Sequence, residues 1–407
     1  MELAPKQTGL STARLERITD HLERNYISSG KIAGCQVAVA RNGHLAYFRS
    51  FGQMDRERGK QVTDDTIFRL YSMTKPIASV ALMTLYERGY FQLNDPVSRF
   101  FPAWKDHQVW VSGRGKEMVT EAPNRPLSMR DMLCHTGGLM FGSALGAPAG
   151  HPVDEVYAEV GVKTRGETLT TFMDKLAKVP LRYQPGERWM YSMSTDVVGA
   201  LVEKISGQRF DQYLAEHIFA PLGMKDTAFN IAPDKADRFA ANYQRGADKT
   251  LKLIDDPTTS NYLREPTFFS GAGGLTGTTE DYVRFCEMVR NGGEFEGERI
   301  LGPRTIQLMR QNHLKDGKDL TQMAIGGFSE TANEGVGFGL GFACTMDTVK
   351  SGSIAAGDFY WGGAASTIFW VDDVEDLVVV FMTQLMPSGA FNFRGQLKNI
   401  IYSSIVE

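Results

Sequence analysis

Hydrophobic spacing along the chain changes period several times, and each change predicts an element. The stretch "STARLERITDHLERNYISSG" at residues 11–30 is amphipathic at helical spacing, so a helix is expected over 11–27, capped by Ser11 or Thr12 and ended near Gly30. The pattern then switches to alternation. "CQVAVARNGHLAYFRSFG" alternates on both sides of Asn42-Gly43, a dipeptide suited to a two-residue hairpin turn. A further short strand, "TIFRLYS", runs directly into "SMTKPIASVALMTLYERGYF". That segment is apolar nearly all round, carries Pro76 in its first turn and stops at Gly89, which predicts a central, buried helix.

From about 90 to 260 the chain reads as helices and long loops broken by Pro and Gly, with a hairpin excursion at "HQVWVSGRGKEMVTEAP". Strand signals return in "GVGFGLGFACTM", "GDFYWGG", "ASTIFWV" and "DLVVVFMTQ", the last two joined through "DDVED". Alternating glycines make "GVGFGLGF" a strand with one bare face. A final helix is expected over "NFRGQLKNIIYSSIV". Strands at both ends with helices between predict an α/β (α+β) fold. Its antiparallel sheet would be built from both termini and flanked by helices, over residues 1–88 and 262–407. A mainly helical lobe, 89–261, would be inserted between the halves.

Composition narrows the function classes. With 42% apolar and 23% charged residues among 407, the chain is ordinary for a globular protein. A net charge of −4, without basic blocks, argues against nucleic acid or an anionic membrane as partner. No apolar run approaches the ~20 residues of a membrane helix, and "MELAPKQTGLSTARLERITDHLER" lacks the apolar core of a secretory signal. Cys35, Cys134, Cys286 and Cys344 are widely spaced and are expected to be buried, reduced thiols of a cytoplasmic protein. The histidines show no ligand spacing, so neither metal nor cofactor is expected. His135, in "LCHTGGL", is expected to be structural.

The tripeptide Tyr-Ser-Met occurs twice, at 71–73 and 191–193, and the two copies predict different chemistry. In the first, Ser72-Met73-Thr74-Lys75 is an S-x-x-K motif at the start of the buried helix. Positions i and i+3 share a helix face, so the lysine can assist removal of the serine proton, and the free N–H groups of a first turn favour a developing oxyanion. A second match, Ser28-Ser29-Gly30-Lys31, follows a helix end and precedes none, so it reads as loop. In the second copy, Tyr191 precedes a helix that Ser194 or Thr195 would cap and Gly207 would end.

Serine, lysine and tyrosine in these settings and this order resemble the serine enzymes of the penicillin-recognising fold: class C β-lactamases, D-alanyl-D-alanine carboxypeptidases and family VIII carboxylesterases. "LCHTGGL", "PLGMKDT" and "SGAGGLTGTTEDYVRF" fit the same pattern, and the resemblance spans roughly residues 30 to 385. It implies that Ser72 is acylated, that Tyr191 acts as general base and that Lys75 couples them. It also implies an oxyanion hole from the N–H groups of Ser72 and Ala364.

Two departures bear on substrate. The family's Lys-Thr-Gly reads Trp361-Gly362-Gly363 here, and its Tyr-x-Asn reads Tyr191-Ser192-Met193. An indole replaces the cation that helps bind a substrate carboxylate, and Met193 cannot donate to a substrate amide. Trp361, Gly362, Gly363, Met193 and Phe141 are therefore expected to line a site for a small uncharged ester. The Trp-Gly-Gly form is most similar to family VIII carboxylesterases. A β-lactamase or D-alanyl-D-alanine carboxypeptidase, and an acyltransferase, are the rival readings; a non-catalytic sensor fits the intact triad least. A monomer or small homo-oligomer is expected.

Overall fold

The computed structural model describes residues 2–142, 150–164, 166–325, 334–355 and 357–406. Asn42 and Gly43 both take positive φ (55° and 76°), as the predicted turn type demands, and join β1 (Gly34–Arg41) to β2 (His44–Asp55). A short β3 (Lys60–Gln61) follows. The late strands are β4 (Val336–Phe338), β5 (Ala343–Thr345), β6 (Phe359–Gly362), β7 (Ile368–Asp372) and β8 (Leu377–Thr383). Among the described residues these eight form one antiparallel sheet in the order β4-β5-β6-β7-β8-β1-β2-β3. The first strand pairs with the last, from Cys35 opposite Thr383 to Arg41 opposite Leu377. The expected α/β (α+β) sheet built from both termini is therefore present.

Both central strands are buried along their whole length because helices cover both faces. Phe369 of β7 sits opposite Val380 of β8, so it shares that residue's face, while Phe381 points the other way. On the first face, Tyr282 of α5 (Thr279–Arg290) meets Phe369 with ring centres 5.0 Å apart. On the second, Phe393 of α6 (Phe393–Tyr402) meets Phe381 at 4.8 Å. The first helix, α1 (Thr12–Leu22), packs beside α6 and widens into one π turn over Glu23–Ile27. The predicted central helix is α2 (Thr74–Glu87), buried without interruption from Thr74 to Leu85. Between α2 and the return to the sheet lie helices that include α3 (Met129–Cys134) and α4 (Ser194–Ser206), and α4 packs on α2.

Several elements differ from expectation. "GVGFGLGFACTM" is not one strand but two, because the chain reverses between Phe338 and Ala343. Gly341 adopts φ 97°, and a Cβ on Gly339 would stand 2.1 Å from the Met309 carbonyl. The "TIFRLYS" strand shrinks to Phe68–Arg69, which pairs with Thr276–Gly277 outside the main sheet. A hairpin of Asn242–Arg245 and Leu251–Asp255 lies within a stretch read as helix and loop, and Leu385–Met386 runs parallel to its first strand. Ser28-Ser29-Gly30-Lys31 is turn and loop, as expected. All four cysteines are buried and free.

One contact fixes the sheet to the start of α2. Gly363, just past β6, passes so close to the turn before the helix that a Cβ there would lie 2.4 Å from the Leu70 carbonyl and 2.2 Å from Thr367 Oγ1. Gly363→Ala is therefore expected to destabilise the protein by roughly 1–3 kcal/mol, as overpacking against backbone does. A urea midpoint unchanged from the parent would contradict this.

Candidate functional site

Ser72 lies in a single 3₁₀ turn, Tyr71–Met73, that leads into α2. The turn begins with Tyr71 at φ 45°, a conformation rare for a side chain of this size. Contacts on several sides hold it there. Leu70 N–H donates to the Leu275 carbonyl at 3.0 Å, Leu275 N–H donates to Thr74 Oγ1 at 3.1 Å, and the Tyr282 hydroxyl donates to the Met73 carbonyl at 2.9 Å. The Tyr71 phenol accepts from Asn242 Nδ2 at 3.0 Å, so this tyrosine is turned toward the hairpin that the sequence did not reveal.

Lys75 stands one turn on and is 2% exposed. Its Nζ donates to the Ala272 carbonyl at 2.7 Å and to Ser72 Oγ at 3.3 Å. It also lies 4.4 Å from the centre of the Tyr191 ring and 5.6 Å from that of Phe141. The Tyr191 hydroxyl is 2.6 Å from Ser72 Oγ. Three residues from two distant stretches of sequence thus meet at one oxygen, with the serine hydroxyl between phenol and ammonium.

The tyrosine is positioned through its backbone and its ring. Met190 N–H donates to the His135 carbonyl at 2.9 Å, and Trp189 exchanges bonds with Met323 and Ile325. Around the Tyr191 ring stand His135 and Phe141, each 5.1 Å away, Trp361 at 5.5 Å and Trp189 stacked at 6.2 Å. Such aromatic contacts favour fixed offsets and hold the ring without competing for its hydroxyl. The cap of α4 differs from expectation: Met193 occupies the cap position, and the Ser192 hydroxyl accepts the Ser194 N–H at 3.3 Å. Ser192 Oγ also contacts Ser194 Oγ at 2.7 Å and His135 Nδ1 at 3.2 Å, so the serine of the second tripeptide is structural.

His135 closes α3 in the left-handed region, φ 57°, and is buried. Burial and, after it, the charge of Lys75 push its pKa well below the ordinary imidazole value, so the ring stays neutral. Sequence reasoning set this residue apart from the chemistry but gave no hint that its ring lies against Tyr191.

The residues expected to line the substrate site divide. Phe141 is half-buried beside Tyr191 and Lys75. Gly362 ends β6 opposite Ile368, Gly363 N–H donates to the Thr367 carbonyl at 2.7 Å, and Ala364 follows half-buried in the turn. Trp361 and Met193 are each only 1% exposed. The indole is enclosed by Tyr191 and, edge-on at 5.3 Å, by Phe338, while Met193 belongs to the packed core. Arg394 anchors this edge by donating to the Trp361 carbonyl at 3.0 Å. Among the described residues, no group of three or more His, Cys, Asp or Glu side chains is placed to hold a metal, and no helix is long and apolar enough to cross a membrane.

Comparison with known proteins finds similarity over nearly the whole length of the chain. Protein Rv1367c of Mycobacterium tuberculosis is 30% identical over 368 residues, covering 89% of this chain and 88% of its own. Esterase EstB of Burkholderia gladioli is 29% identical over 402 residues, covering 95% of both. Among solved structures, EstCE1, described as a hydrolase with promiscuous acyltransferase activity, superposes with a TM-score of 0.80 at 27% identity, covering 96% of this chain and 99% of that one. The β-lactamase family model matches residues 19–400. A match over that span, which includes the Ser72 and Tyr191 segments, makes this chain a member of the β-lactamase family.

Proposed function

We propose that the protein is a serine carboxylesterase that cleaves small uncharged esters through an acyl-enzyme on Ser72. The observation that carries this reading is the pair of contacts on one oxygen: phenol at 2.6 Å and ammonium at 3.3 Å from Ser72 Oγ. A serine hydroxyl becomes a useful nucleophile only when its proton has somewhere to go. Tyr191 supplies that place in its phenolate form, and Lys75, 4.4 Å from the centre of its ring, brings positive charge that favours that form. As Ser72 Oγ bonds to the ester carbonyl carbon, its proton passes to Tyr191. When the C–O bond breaks, the leaving alcohol takes that proton, and water then repeats the sequence to release the acid. The N–H groups of Ser72, in a helix's first turn, and of Ala364, in the turn after β6, are the proposed oxyanion donors, each worth about 2.7–4 kcal/mol of barrier where such donors have been removed.

Ester over lactam follows from what the third motif lacks. Trp361 and Met193 stand where the motifs of the penicillin-recognising pattern have lysine and asparagine, so neither position supplies a charge or an amide. The likeness to Esterase EstB and to EstCE1 supports the same choice, and the EstCE1 description keeps acyl transfer to a small alcohol as the second reading.

Ser72→Ala is expected to abolish p-nitrophenyl butyrate hydrolysis, Lys75→Ala to lose nearly as much, and Tyr191→Phe to lose on the order of 10³-fold, chiefly in kcat. Intact-mass analysis should find one acyl group on the Ser72 peptide. A Lys75→Ala enzyme working at a tenth of the normal rate would remove the lysine from the mechanism. In a side-by-side assay, kcat/KM on the ester should exceed that on a chromogenic cephalosporin by about 10²-fold, the scale on which an apolar pocket rejects a substrate with additional polar groups; parity would favour a lactamase. His135→Asn keeps a side chain tolerant of positive φ. It should cost less than about tenfold and leave the pH–rate profile between 5.5 and 7.5 unchanged, whereas a histidine base would cost about 10³-fold or more.

A further inference from the structure

The carbonyl that receives Lys75 sits in a loop with little stiffness of its own. Residues 270–274 read Ser-Gly-Ala-Gly-Gly, and glycines leave a backbone many conformations. The loop is nonetheless pressed into one path. A Cβ on Gly271 would lie 2.3 Å from the Thr195 carbonyl in the first turn of α4, and one on Gly273 would rest 3.6 Å from Tyr71. Asp196, in that same turn of α4, is 2% exposed, and one of its oxygens meets the loop on both sides of Gly271. Oδ1 accepts from Ser270 Oγ at 2.6 Å and from Ala272 N–H at 3.0 Å. The Ala272 residue is therefore a bridge: its N–H is held by Asp196 and its carbonyl holds Lys75 at 2.7 Å.

We propose that Asp196 is a positioning residue for Lys75, fixing the Ala272 carbonyl that receives the ammonium and tying that contact to the helix that follows Tyr191. A buried carboxylate is costly unless hydrogen bonds and an opposite charge compensate it, and here both lead to the lysine. Burial raises the Asp196 pKa above the ordinary carboxylate value, and the hydrogen bonds from Ser270 and Ala272 and the charge of Lys75 offset only part of that rise. Among the described residues, the titratable groups facing Lys75 include Tyr191 ahead of α4, His135 at the end of α3 and Asp196 within α4. In its ionised form Asp196 sets negative charge behind the Ala272 bridge, which favours the ammonium. For catalysis the proposal rests on the esterase reading, since it assigns a support to a group that reading employs.

The test compares Asp196→Ala and Asp196→Asn in the full chain. Asparagine keeps an oxygen able to accept both hydrogen bonds but loses the charge. Asp196→Ala is expected to lower kcat about 100-fold with KM within about threefold, the scale of a small misplacement of a reacting group. Asp196→Asn should return to within about tenfold of the parent, with the alkaline limb of its kcat/KM profile moved to lower pH, because an ammonium without its anionic neighbour releases its proton sooner. The same shift should be visible without substrate. In protein labelled with ¹³Cε-lysine, the Lys75 resonance, assigned by its loss in Lys75→Arg, should titrate at lower pH in Asp196→Asn than in the parent. An Asp196→Ala enzyme with parental kcat, or a Lys75 resonance that titrates identically in parent and Asp196→Asn, would overturn the proposal. If no ester acylates Ser72, the esterase reading falls by itself, and the lysine titration still decides the role of Asp196.

Discussion

Everything at the candidate site follows from keeping one ammonium inside the protein. Lys75 lies on a helix with no solvent face, in its first turn, where the helix dipole opposes positive charge. Removing such a group from water costs several kcal/mol unless its hydrogens are matched. The fold matches them with a backbone carbonyl, a hydroxyl and the face of a phenol. Each partner comes from a different part of the chain: the loop at 270–274, the turn at 71–73 and the segment before α4. Satisfying the lysine and assembling the site are thus the same event, and a misplaced loop or lobe would leave the charge exposed to an apolar interior.

The doubled tripeptide shows why residue type alone does not assign chemistry. Tyr71 and Tyr191 are both followed by Ser-Met, yet Tyr71 turns its hydroxyl to Asn242 while Tyr191 turns to Ser72. Ser72 heads a helix beside a lysine; Ser192 sits buried between His135 and Ser194. The backbone decides. Tyr71 at φ 45° places the next residue at the mouth of α2, whereas the chain before Tyr191 is tied down on both sides and delivers the ring itself.

Much of this was legible before any coordinates. The Asn42-Gly43 turn, the all-apolar α2, the paired late strands and the S-x-x-K spacing are local signals, and local signals survive folding. The elements that escaped depend on distant partners. The Asn242–Arg245 hairpin has little apolar alternation and is stabilised by lying beside Leu385–Met386. "GVGFGLGF" has a strand's composition, but the Met309 carbonyl, from a helix thirty residues earlier in the chain, forces the backbone to reverse there. Met193 and Trp361 were legible as departures from a motif, not as buried side chains, because burial depends on Phe338 and the core around them. Asp196 is an acidic residue in the first turn of a helix, where such residues are ordinary. Only the approach of residues 270–272 gives it work.

The sheet's order has a consequence for how the chain is made. Thr383 Oγ1 donates to the Gly34 carbonyl across 349 positions of sequence, and β1 lies between β2 and β8. At a translation rate of about 5–20 residues per second, the nascent hairpin waits roughly 20–70 s for its second neighbour to leave the ribosome. Throughout that interval an apolar strand shows an unpaired edge, the kind of surface on which polypeptides cling to one another. Maturation of this molecule is therefore a problem of shielding its beginning until its end has been synthesised.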